Sequence, residues 1–131
     1  MASIDRALLD AHVFLWALYS PEKLSRRARG LLASDLTAVQ MSAVTVWELL
    51  LKIQAGKLNT TQREIAEGLD LLQVRVLPIR TDHLWALQNV AVAGHRDPFD
   101  RLLIATAAAE GLPVITADSS FKLHRDIRVI W

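Results

Sequence analysis

The stretch from His95 to Asp118, HRDPFDRLLIATAAAEGLPVITAD, constrains the fold of this chain more than any other. Asp97, Pro98 and Asp100 form a helix start: an N-cap acid, proline at the first helical position and a third-position acid reaching back. Leu102, Leu103, Ile104, Ala105, Ala107, Ala108 and Ala109 then leave little polar surface, the pattern of a helix packed inside a domain. Gly111 stops it and Pro113 prevents its resumption. Val114, Ile115 and Thr116 form a short buried strand, so Asp118 falls just past a strand's carboxyl end, where open α/β sheets place their ligand sites. Ile104 and Ala107 follow Asp100 on the same helical face, so its side chain continues the buried stripe. It either completes the cap or faces other acids across a cation.

The rest of the chain alternates short strands with helices. A strand ends at Leu9 with Asp10 at its carboxyl end, and a helix follows from about His12 to Tyr19. Glu22 to Leu32 reads as a second helix and Val39 to Met41 as a second strand. Ser42 caps a third helix, which carries Glu48 and ends at Gly56. Thr60 or Thr61 opens a fourth with Ile65, Ala66, Leu69 and Leu72 inward. Val74 to Ile79 alternates like a strand, and Pro78 places it at or near an edge. Thr81 caps a helix to about Val92, Phe121 and Leu123 begin a short helical or irregular piece, and Ile127 to Ile130 form a last strand. The alternation predicts an α/β fold whose mostly parallel sheet is covered on both faces. With 131 residues, 52% of them hydrophobic, the expectation is one compact domain over residues 1–131.

The absence of cysteine excludes disulfides, thiolate zinc sites and cysteine nucleophiles, and fits a cytoplasmic protein. Asp10 and His12 interrupt the only stretch resembling a secretory leader, and the apolar runs are too short for a bilayer, so no membrane is expected. A net charge of +1 argues against a nonspecific nucleic-acid coat protein, and Arg26, Arg27 and Arg29 read as a solvated helix face. His12, His83, His95 and His124 show no metal-ligand spacing. His95, Arg96 and Arg101 flank the acidic helix mouth, where they are candidates to touch a phosphate of RNA. Trp16, Trp47 and Trp85 read as core, with Trp131 left for packing or a partner.

Asp10, Glu48, Asp100 and Asp118 come from separate elements, and in a parallel sheet the strand ends that carry Asp10 and Asp118 share one edge. Lys52, one turn beyond Glu48, offers it instead a surface ion pair worth about 0.3–0.5 kcal/mol. Gathered at about 4 Å and an effective dielectric near 20, each pair of acids repels by roughly 4 kcal/mol, so protons or a cation must neutralise them. Oxygen-only ligands match Mg²⁺ or Mn²⁺, ions that activate water against phosphodiesters.

These residues resemble the PIN-domain ribonucleases, and in particular the VapC-type toxins of bacterial toxin-antitoxin pairs. LLDAHVFLW is similar to that family's first motif, SAVTVWELLLK to its second, and HRDPFDRLLIATAAAEGLPVITAD to its third and fourth. The likeness runs along almost the whole chain. It implies a PIN-like three-layer α/β/α fold with four to five short strands, and a Mg²⁺- or Mn²⁺-dependent endoribonuclease leaving a 5′-phosphate and a 3′-hydroxyl. Asp10, Glu48, Asp100 and Asp118 would be the catalytic quartet, with Asp10 and Asp100 binding the metal directly and Glu48 and Asp118 directly or through water. Asp97 is kept as the helix cap. A homodimer and a small VapB-type antitoxin are the implied partners. The family often has Ser or Thr after its first acid; here Ala11 stands there, leaving Ser42 or Thr116 to supply a hydroxyl. Two other readings stay open: an RNA-binding translation inhibitor that does not cut, and a Mg²⁺-binding phospho-receiver-like domain.

Overall fold

A computed structural model describes residues 4–90 and 97–131. Its sheet has five strands: β1 (Arg6–Leu9), β2 (Ala38–Ser42), β3 (Arg75–Leu77), β4 (Val114–Ile115) and β5 (Val129–Ile130). They lie in the order β3-β2-β1-β4-β5, and every pairing is parallel. β3 sits at an edge, as Pro78 predicts. The chain builds outward from β1 on one side as far as β3, then returns to add β4 and β5 on the other. Strand order therefore reverses beside β1, and the crevice at such a switch point opens at the strands' carboxyl ends.

Among the described residues six α-helices connect the strands: α1 (Ala11–Tyr19), α2 (Arg26–Ala33), α3 (Ala43–Gln54), α4 (Gln62–Leu71), α5 (Thr81–Ala86) and α6 (Pro98–Glu110). Alternate strand residues go to opposite faces. Ala7, Leu9, Ile115 and Ile130 join Phe14, Ala28, Leu49 and Ile65 in one core, under α1 to α4. Leu8 and Val114 join Leu103, Ile104, Ala105 and Ala107 of α6 in the other. Three layers result because β1, β4 and β5 place apolar residues on both faces of the sheet.

Helix starts follow the expected capping chemistry, with three departures. The helix expected over Glu22–Leu32 is broken: Pro21–Lys23 make a 3-10 turn, and the Ser25 hydroxyl accepts from the Ala28 N–H at 3.0 Å to begin α2. On α4, Gly68 is buried where Ala66 was expected; a Cβ at Gly68 would lie 2.7 Å from Leu18, so the missing side chain lets α4 close on α1. Arg80, not Thr81, is the N-cap of α5, and its backbone N–H donates to His83 Nδ1 at 3.1 Å. The helix expected to run to about Val92 stops at Ala86 and tightens into a 3-10 turn over Leu87–Asn89; Val92 itself lies outside the described residues.

Gly111 ends α6 at φ 67°, turning the chain into β4, whereas Gly30 sits inside α2 with open space where a Cβ would go. Gly111→Ala should therefore destabilise by about 1 kcal/mol and Gly30→Ala stabilise by about 0.5–1 kcal/mol, measured by urea denaturation. Equal effects of the same sign would contradict this account of the two turns.

Candidate functional site

The register that pairs Leu9 with Ile115 brings the next residues, Asp10 and Thr116, level at the sheet's carboxyl edge. Asp10 is buried, and burial pushes its carboxyl above the usual range, partly offset by hydrogen bonds. The Thr116 hydroxyl donates to Asp10 Oδ2, and the Val13 N–H donates to Oδ1 at 2.8 Å. Thr116 Oγ1 also accepts the Asp118 N–H at 3.0 Å, so one hydroxyl ties the ends of β1 and β4 together. Asp118 Oδ1 takes the backbone N–H of Ser120 at 3.0 Å and its hydroxyl at 2.6 Å, which caps a 3-10 turn over Ser119–Leu123.

On the facing side, Asp97 caps α6 by accepting from the N–H groups of Phe99 and Asp100, at 2.8 and 3.2 Å. Asp100 does not reach back to complete the cap. Its carboxyl makes no hydrogen bond among the described residues and is pushed from 3.8 up to about 7, first by burial and then by the charges of Asp97, Glu48, Asp118 and Asp10. Glu48, on α3, pairs with Lys52 Nζ at 3.0 Å, as one turn of spacing allows.

Asp10, Glu48, Asp97, Asp100 and Asp118 all line one cavity of about 130 Å³, together with Ala11, His12, Lys52, Leu103 and Phe121. Glu48 thus takes both expected positions, ion-paired and facing the acids. Of the hydroxyl candidates, Thr116 touches an acid, while Ser42 caps α3 through the Val44 N–H at 3.2 Å and does not line the cavity. Arg101 does not line it either; its Nε is buried with no hydrogen-bond partner among the described residues. His95 and Arg96 lie outside the described residues. The sequence reasoning passed over His12 and Lys52 as part of this cavity, although each lies within a turn of an acid already singled out.

A second group, Asp82, His83 and Glu110, brings potential ligand atoms within 4.8 Å of one another. His83 is fully buried; because its Nδ1 accepts the Arg80 N–H, its proton sits on Nε2 and is donated to Glu110 at 2.8 Å. Asp82 is taken up by Arg80 at 3.0 Å. These atoms are occupied in bolting α5 to α6.

Fold and cavity together define an α/β domain with clustered carboxylates at its topological switch point. The sequence model of the PIN domain family matches residues 7–126, and the chain belongs to that family. No curated protein matches it by sequence. Among solved structures, a chain of VapBC2 from Rickettsia felis bound to a promoter DNA fragment is similar at TM-score 0.72 and 13% identity, covering 95% of this chain and 97% of that one. A chain of DNA-bound VapBC from Salmonella typhimurium gives 0.69 and 19%, covering 98% of each. VapBC-5 from Mycobacterium tuberculosis, described as a member of the VapBC family of toxin-antitoxin systems, gives 0.60 and 25%, covering 96% and 98%.

Asp100 should give folding a distinctive pH dependence in the presence of a chelator. Between 3.8 and about 7 the folded chain keeps a proton that the unfolded chain has released, so stability falls as pH rises through this window. The melting temperature should therefore decline from about pH 5 to about pH 8, and Asp100→Asn should flatten the decline. An unchanged slope in that variant would show that the repulsion resides elsewhere.

Proposed function

We propose that the protein is a Mg²⁺- or Mn²⁺-dependent endoribonuclease acting as the toxin of a VapBC-type toxin-antitoxin pair. The observation that carries this reading is the convergence of five carboxylates on one small cavity at the switch point of a PIN fold. The donor set fits a hard divalent cation, being all oxygen. Asp100, crowded by like charges and without a hydrogen-bond donor among the described residues, is the acid such a cation would relieve most. Asp10 and Asp100 would hold the ion, with Glu48 and Asp118 reaching it directly or through water. When bound, it supplies Lewis acidity and makes water a nucleophile at neutral pH.

The chain's own residues set up the reaction. Thr116 and the Val13 N–H fix both oxygens of the Asp10 carboxylate, so Thr116 supplies near the acid the hydroxyl that Ala11 lacks. Asp97 holds the first turn of α6 and thereby places Asp100. Water attacks phosphorus and the 3′ oxygen leaves, giving a 5′-phosphate and a 3′-hydroxyl. A single PIN domain spans residues 1–131 and works in the cytoplasm as a homodimer, restrained by a VapB-type antitoxin. The likeness to chains of VapBC complexes over 95–98% of this chain supports the antitoxin partner. No helix among the described residues is long and apolar enough to cross a bilayer.

Incubation of structured RNAs with the protein and Mg²⁺ or Mn²⁺ tests the reading. Cleavage should require the metal. Outer partners of metal sites are worth about 10–100-fold, so Thr116→Val should lose activity in that range and Asp10→Asn or Asp100→Asn more. Full cleavage by both Asn variants would overturn the assignment; RNA binding without any cleavage would favour an inhibitor that only holds RNA.

A further inference from the structure

The acidic cavity opens into a second hollow of about 280 Å³, lined by Glu48, Leu51, Lys52, Ala55, Lys57, Asp97 and Phe99; Glu48, Lys52 and Asp97 belong to both. One wall of this groove is the outer face of α3. Trp47, expected in the core, is 54% exposed on the same helix; it lines neither hollow itself, but its indole meets the ring of Phe99, which lines the groove, nearly edge-on, with centroids 5.1 Å apart and planes at 70°. Leu51, one turn on, is also exposed. Lys57 is fixed at the end of α3: Gly56 adopts φ 73°, and the N–H groups of Lys57 and Leu58 return to the Lys52 carbonyl at 2.9 and 3.3 Å. An aromatic pad and two ammonium groups therefore stand directly beside the clustered acids.

This combination has a specific chemical complement. The acids repel a polyphosphate backbone, so a strand presented to them must be gripped alongside. Lysines neutralise phosphates, and an exposed aromatic ring stacks an unpaired base, whereas paired bases keep their faces hidden within the helix. Lys52 is paired with Glu48, so Lys57 is the lysine of this groove that has no ion pair among the described residues. Resting on the nuclease reading above, we propose that this groove is a subsite for single-stranded RNA next to the bond that is cut. Trp47, backed by Phe99, stacks one base, and Lys52 and Lys57 hold neighbouring phosphates.

Trp85 supplies the internal control, since it is 69% exposed but sits on α5, which contributes no residue to the groove, whereas Trp47 shares α3 with Glu48, Leu51 and Lys52. Cleavage kinetics of a short single-stranded RNA by the full chain, with tryptophan fluorescence followed as RNA is added, decide the matter. Trp47→Ala should raise KM at least about fivefold while leaving kcat within about twofold, and Trp47→Phe should recover most of the loss. Lys57→Met should raise KM and reduce the salt dependence of binding by about 0.7 in slope. RNA should quench the wild-type indole signal, Trp47→Phe should remove most of that quenching, and Trp85→Ala should behave as wild type. Circular dichroism of Trp47→Ala, whose side chain is largely exposed, should match wild type. Wild-type KM and quenching in both the Trp47 and Lys57 variants would overturn the subsite while leaving the nuclease assignment standing. Quenching without cleavage, lost in Trp47→Phe, would remove the nuclease and keep the subsite. RNA that neither quenches nor is cut overturns both.

Discussion

Mutual repulsion among carboxylates is the force this architecture has to contain. Each acid of the cavity except Asp100 has its own local compensation. Asp10 has Thr116 and a backbone N–H, Asp118 has Ser120, Glu48 has Lys52, and Asp97 has two N–H groups at the start of α6. The unfavourable energy shows on Asp100, whose carboxyl is pushed up to about 7 by burial and by the charges around it. An acid that titrates near 7 is half-charged under ordinary conditions and responds to any cation brought close to it.

The backbone can hold such a cluster because most of its members are placed by separate elements. Asp10 follows β1 and Asp118 follows β4, and the parallel pairing of those strands fixes their separation. Asp100 is placed by the capped first turn of α6, which is anchored by the apolar run from Leu103 to Ala107. Glu48 is placed by α3, whose Leu49 is fully buried in the opposite core. Two hydrophobic cores on the two faces of one sheet thus converge on the edge that carries the charges, and burial supplies what electrostatics removes.

Much of this was legible in the chain because the relevant signals are local. The acid, proline and glycine punctuation of α6 and the proline beside β3 act within a few residues of where they appear, and the elements formed where expected. What periodicity could not supply was whether a neighbour covers a given face. Trp47 and Trp85 share helices with buried residues yet stand exposed, and Ala66 lost the inward position to Gly68 because contact with Leu18 leaves no room for a larger group. Glu48 shows the other limit. Its spacing to Lys52 was a sound argument for a surface ion pair, and that pair exists, but spacing along one helix says nothing about which other helix lies opposite.

The Glu48–Lys52 pair also bears on how an anionic polymer could approach an anionic cavity. The Lys52 side chain is 35% exposed against 14% for Glu48, so the lysine is the partner nearer solvent, on a flexible stem whose reach does not depend on moving the helix. The ammonium is held by Glu48 beside the groove that Lys57 and Phe99 also line, and a cation bound by Glu48 would leave that ammonium free to meet a phosphate there. A single turn of α3 can in this way couple neutralisation of the acids to attraction of phosphate, with no change of fold and no contribution from the protein's net charge of +1.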